Sequence, residues 1–172
     1  MLPRERIIAQ LNHRESDIVP MGENHIHAEI VEKFLGRKVL HGNGFLELKA
    51  LWDGRREELI RDAVDVLSKL PRKNGADYVR VPASPPDRPY PRPKMLGEYS
   101  WVDEKGRHFH FNPEIGQQIS PEYNTELTID DIPDVNENFV VHPSEMDAIR
   151  GVIARIKGTH FIIARLPLDG TF

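Results

Sequence analysis

The chain contains no cysteine. It therefore has no disulfide, no thiolate nucleophile and no cysteine-ligated metal. Long apolar runs are missing as well, and none approaches the roughly 20 residues of a membrane-spanning helix. The N-terminal stretch MLPRERIIAQLNHRE spreads charges throughout instead of gathering an apolar block, so no secretory leader is expected. Neither sign of charge dominates: 23 Lys+Arg against 27 Asp+Glu leave a net charge of -4. That balance gives no electrostatic ground for a nucleic-acid or anionic-membrane partner. A cytoplasmic address is expected. What remains is ordinary globular usage, 39% hydrophobic and 29% charged over 172 residues, enough for one domain with a sizeable core.

Periodicity divides this material into helices and strands. Pro3 followed by RERIIAQLNHR reads as a helix with proline in its first turn, and Ile7, Ile8 and Leu11 form its stripe. Ile18–Met21 is the first expected strand. HIHAEIVEKFLGR places Ile26, Ile30 and Phe34 on one helical row and Val31 with Leu35 beside it, with Gly36 suited to the C-terminal stop. Phe45, Leu46, Leu48 and Leu51 mark a further helix. A longer one is expected from Arg55 to about Lys69, broken by PRKNG. ADYVRVP is the second strand. Six prolines between Pro82 and Pro93 exclude both helix and central strand, leaving a loop-like excursion. EYSWV and RHFHF around DEKG predict a β-hairpin. Residues 112–141 read as irregular. SEMDAIRGVIARIKG opens with Ser144 and Asp147 at capping-box spacing, and THFIIARL is the third strand.

The fold class is therefore α/β. Apolar strands separated by amphipathic helices imply parallel βα units, about three of them, with a hairpin excursion. Three strands are few, and a chain that stops soon after a buried strand is expected to be an incomplete domain.

The stretch SDIVPMGENHIH carries the densest chemistry. Glu23, Asn24, His25 and His27 follow a strand and Gly22 within five residues. If His25 and His27 continue a strand they share a face and could chelate a metal. In a helix they lie about 200° apart and cannot. The neighbouring helical row favours the second geometry, so Glu23, Asn24 and His25 are substrate-pocket candidates and no metal site is assigned. His108 and His110 alternate with Phe109 and Phe111, as any half-buried hairpin does. Asp103-Glu104 reads as turn chemistry. Arg80 and Arg165 interrupt apolar strands, and each must sit at a strand end, in an ion pair or on an anion. Arg165, with Asp169 four residues on, is the stronger pocket candidate, although an internal Arg–Asp pair is an equal reading. Arg88, Arg92 and Lys94 read as a solvated loop.

RERIIAQLNHRESDIVP, through Arg4, Glu5, Arg6, Asn12, His13, Arg14, Asp17, Val19 and Pro20, resembles the opening of the uroporphyrinogen decarboxylase superfamily, especially its corrinoid-methyltransferase-like branch. GADYVRV (75–81), WVDEKGR (101–107) and HFIIARLPLDGTF follow in the order that family shows. The resemblance implies the N-terminal portion of a TIM (β/α)8 barrel over 1–172, with the C-terminal half absent and the cleft at the carboxyl ends of the strands.

By the same resemblance the activity is cobalamin-dependent methyl transfer, with a corrinoid and a zinc ion implied for the full-length family. The partner would be a small molecule or a corrinoid protein. Uroporphyrinogen decarboxylation in tetrapyrrole biosynthesis is the alternative. Against it, GENHIH replaces the decarboxylases' Gln-Ala-Gly-Arg phrase, no arginine lies between Gly22 and Gly36, and Ser84 stands near the place of their aspartate. A third possibility is an inactive half-barrel that needs a complementing chain or a homo-oligomer, so whether this chain alone is an enzyme is left open.

Overall fold

The structure is a computed structural model that describes residues 1–114 and 141–165, together with the backbone of Gln117–Ile119. Its longest amphipathic run becomes α4, Arg56–Asn74, which is buried along two sides. Ile60, Val64 and Leu67 meet Val79 and Val81 of β1 (Tyr78–Pro82) and Ile149, Val152 and Ile156 of α5 (Asp147–Ile156). The other side, Val66 and Leu70, packs on Ala28 and Val31 of α2 (Ala28–Leu35) and on Val39. Each such side chain contributes about 1.5–3 kcal/mol on full burial. Helices α4 and α5 approach closely because Gly151 faces Val64: a Cβ at Gly151 would stand 2.6 Å from a Val64 methyl.

The break expected at PRKNG does not occur. Pro71 lies inside the last turns of α4, where Leu70 and Pro71 are both buried, and that packing outweighs the lost N–H donor. The helix stops at Gly75, in the left-handed region at φ 77°.

Strand β1 pairs in parallel with β6 (Phe161–Arg165), Tyr78 opposite Phe161 and Pro82 opposite Arg165. The first expected strand is not a ladder strand. Residues 18–21 run beside β1 but share only one backbone bond with it, from Asp77 N–H to the Met21 carbonyl at 2.7 Å. Pro20 has no N–H to extend the ladder. The Asp77 carboxylate takes over, accepting from Met21 N–H at 2.8 Å and from Arg6 at 2.9 Å. Arg6 belongs to α1, Pro3–Leu11, and also binds Asp17 at 2.7 Å. One buried carboxylate thus gathers three chain segments.

Helix α2 begins two residues after Ile26, with His27 at its N-cap position. The expected row is therefore not its buried face: Ile30 is 47% and Phe34 43% exposed, while Ala28, Val31 and Leu35 pack inward. α3, Gly44–Trp52, follows as expected, capped by the Asn43 carboxamide, which accepts from Leu46 N–H.

The hairpin forms with Ser100–Val102 (β3) antiparallel to His108–Asn112 (β4). Asp103 accepts from the N–H groups of Lys105 and Arg107, both at 2.9 Å, and binds the Arg107 side chain, which is the expected turn role. Lys94–Met95 (β2) and Gln117–Ile119 (β5) widen it to a four-stranded sheet, β2-β3-β4-β5, so part of the stretch read as irregular is strand. Residues 120–140 lie outside the described residues. His108 and His110 are exposed while Phe111 is buried. Phe109 stacks on Trp101, and Phe45 and Trp52 of α3 pack against Tyr99, Trp101 and Phe111, which seats the sheet on the helical layer.

The capping box at α5 is not Ser144–Asp147. A 3-10 turn, Pro143–Met146, precedes the helix, and Glu145 returns to accept from His142 N–H at 2.8 Å. The buried Ser84 hydroxyl accepts from Ala148 N–H, so the start of α5 is capped from across the fold. Ser84 is thus a structural residue. Among the described residues, no helix is long and apolar enough to cross a membrane. The architecture is mixed α/β with a small parallel sheet, and the described residues do not form a closed barrel.

Several ionised or buried groups make this fold acid-sensitive. Hydrogen bonds from Arg6 and the N-terminal ammonium hold the Asp17 carboxyl well below the usual carboxylate range, and Lys38 lowers that of Glu32. Burial lowers the pKa of His160, helped by Arg72 and partly opposed by Asp77. For His160 the unfolded chain takes up a proton below pH 6.5 that the folded one resists, so stability falls as pH drops through that value. The carboxylates add their loss lower, as pH falls through the unfolded values of 3.8 and 4.5 and on to their depressed folded ones. Melting temperature should therefore decline in two stages on acidification, and the upper stage should vanish in His160→Gln. A melting curve flat down to the carboxylate range would refute the histidine contribution.

Candidate functional site

Gly22 marks where the N-terminal segment turns away from β1, and its lack of a side chain is required. A Cβ there would stand 2.5 Å from the Tyr78 ring. The chain crosses that ring and delivers Glu23, Asn24 and His25, all exposed, to the rim of a cavity of about 310 Å³. Tyr78, Arg80 and Pro82 of β1 and Arg165 of β6 line it, over a floor of Val66, Leu67 and Leu70 from α4. In the parallel register Pro82 faces Arg165 and Arg80 faces Ile163, so both arginines belong to the sheet face opposite Val79 and Val81. Both have interaction partners. Four of the five pocket residues expected from sequence therefore meet at one cavity. Asp169 lies outside the described residues.

Two further residues, His41 and Glu47, escaped the sequence reading. His41 Nδ1 lies 3.3 Å from Glu47 Oε1, and the same oxygen accepts from Gly42 N–H at 2.8 Å. The loop carrying His41 is pinned from below, since Leu40 and His41 N–H both donate to Asp62, which Arg37 also binds. A carboxylate beside one ring nitrogen favours the tautomer that leaves the other as a proton acceptor. The sequence signal was HGNGFLE, in which a histidine flanked by glycine precedes a helix start with glutamate in the first turn.

Among the described residues, no group of three or more His, Cys, Asp or Glu could hold a metal ion. His25 and His27 both precede α2, His27 as its N-cap, so the helical placement expected for the pair is not adopted, and a ligand set for the zinc implied by resemblance is not found among the described residues. At about 310 Å³ the cavity sits at the small end of ligand pockets. Cationic, imidazole, carboxamide and carboxylate groups, the last from Glu23 and Glu47, line it above an apolar floor. No family model, no curated protein and no solved structure matches the chain.

Proposed function

We propose that the chain forms the substrate-binding side of an α/β barrel enzyme similar to the uroporphyrinogen decarboxylase superfamily, and that the reaction is corrinoid-dependent methyl transfer involving a small molecule in the cleft. One observation carries this reading. Pro82 and Arg165, the last residues of two parallel strands, line the same cavity as Glu23, Asn24 and His25, which follow the extended segment beside them. Barrel enzymes and open α/β sheets place their sites at such carboxyl ends.

The chain's own residues would bind and orient the small molecule. Arg80 and Arg165, each already engaged, give one end of the cleft cationic side chains, and His41, 3.3 Å from Glu47, can accept a proton from a hydroxyl or thiol of the small molecule. The absent arginine phrase after the first segment supports methyl transfer over porphyrinogen decarboxylation.

Natively expressed protein, incubated with methylcobalamin and thiol or phenol acceptors, should demethylate the cobalamin with a visible spectral change. Arg165→Gln should slow that reaction at least tenfold. Turnover of uroporphyrinogen instead would move the assignment to decarboxylation, and inertness toward both would end this reading.

A further inference from the structure

Helix α2 has two faces with different fates. Ala28, Val31 and Leu35 dock on α4, whereas Ile30 and Phe34, one turn apart on the outer side, stay 47% and 43% exposed. Leu46 of α3, 39% exposed, lines the same recess as Glu29 and so extends the patch. Apolar side chains exposed singly are ordinary, but a helix row of two beside a third marks a contact surface.

The charges on that face identify what covers it. At about 100° per residue, Lys33 and Glu29 lie about 60° and 100° round from Ile30, on the side away from Phe34. Both are exposed. The cations that follow are already engaged, Arg37 by Asp62 and Asp65 and Lys38 by Glu32, with Glu29 adding a weaker pull on Lys38. The outer face is thus acidic at its start, at Glu29, and basic one turn later, at Lys33. Two copies of α2 placed antiparallel across a two-fold axis set Glu29 of each beside Lys33 of the other, with Ile30 and Phe34 between. Parallel pairing would oppose Glu29 to Glu29. An anionic bilayer would repel Glu29 as much as it drew Lys33.

We propose that the outer face of α2 is a self-complementary interface through which two copies of this chain form a two-fold dimer, Ile30 and Phe34 at its centre and Glu29–Lys33 pairs at its rim. A face this small makes a weak contact, with a dissociation constant on the order of 10–100 μM. The contact does not depend on what the cleft binds.

Sedimentation equilibrium of the natively expressed protein, from about 1 to about 300 μM, tests it. The average mass should rise from 19.8 kDa towards twice that value and level off there. Ile30→Ser should weaken the dimer at least tenfold. Glu29→Lys and Lys33→Glu should each weaken it about tenfold, since either change puts two like-charged contacts into the dimer. Mixed in equal amounts, those two variants should associate about as tightly as the parent, because each mixed contact regains opposite charges. All three positions are exposed, and circular dichroism should show the fold kept in each variant.

A monomer throughout that range overturns the proposal. So does a dimer indifferent to Ile30→Ser and to both charge changes, which would lie on another face. Failure of the mixed variants to recover overturns the antiparallel pairing, and a mass rising beyond the dimer overturns the two-fold closure. A monomer that floats with phosphatidylserine vesicles, and ceases to do so with Ile30→Ser, would give the row to a bilayer surface instead.

Discussion

Asp77→Ala should cost about 3–5 kcal/mol of folding stability, the range for breaking one side of a buried charged pair. Asp77 is 1% exposed, and its two oxygens bind different segments, Arg6 at 2.9 Å and Met21 N–H at 2.8 Å. Alanine leaves the Met21 amide with no acceptor and deprives Arg6 of one of its two carboxylates. The two remaining bonds from Arg6 to Asp17 are exposed and do not replace the buried one. Asp77→Asn keeps one acceptor oxygen and should lose distinctly less. The consequence reaches the site, because the segment released from β1 carries Gly22 and then Glu23, Asn24 and His25. Urea unfolding measures the effect as a lower midpoint at unchanged slope. A loss below about 1 kcal/mol in Asp77→Ala would mean that water replaces the carboxylate and that the tether is not structural.

The second large effect is expected at Arg56. Its guanidinium is nearly enclosed and donates to the Pro85 carbonyl at 2.7 Å, the Ser144 carbonyl at 2.9 Å, Asp147 at 2.8 Å and Glu57 at 2.7 Å. No other residue type spreads donors over such a fork. Arg56→Ala should destabilise by about 3–5 kcal/mol, since it strands two carbonyls and uncouples the start of α4 from the start of α5. Arg56→Lys keeps the charge but reaches fewer partners, and should recover only part of the loss. The local signature is faster hydrogen exchange at the amides of Asp87 and Ala148, which bind Ser144 and Ser84 beside the clamp. Unchanged exchange in a destabilised Arg56→Ala would show that the clamp acts elsewhere.

Neither Asp77 nor Arg56 stood out in the sequence, and the reason is common to both. Apart from Glu57 beside it, Arg56 works through partners 29 to 91 positions away and Asp77 through partners 56 and 71 away, and no local spacing records such a meeting. Features set by near neighbours were legible. The strands ADYVRVP and THFIIARL, the hairpin around Gly106, and the helix stop at Gly36 all depend on alternation or on left-handed backbone, which local residue types report. The row Ile26–Ile30–Phe34 misled because three apolar residues fitted a helical face while the docked face, Ala28–Val31–Leu35, was smaller and closer to α4. At the site, Glu23, Asn24, His25 and Arg165, which line one cavity, were singled out from the segments they follow or end. His41 and Glu47 were not, because their pairing needs the loop that Asp62 folds.

The two ends of the proline-rich and antiparallel excursion meet at one place. Ser84 N–H donates to the Glu145 carbonyl at 2.8 Å and Asp87 N–H to the Ser144 hydroxyl at 2.8 Å, with Arg56 across both. The described parts of the excursion leave the parallel layer and return to it beside this one clamp. In evolutionary terms that is a cassette: its length can drift without altering the distance β1 and β6 must span. Because loop closure grows only slowly more costly with length, added residues in the cassette cost folding little so long as the contacts of Ser84, Asp87 and Arg56 at its two ends hold.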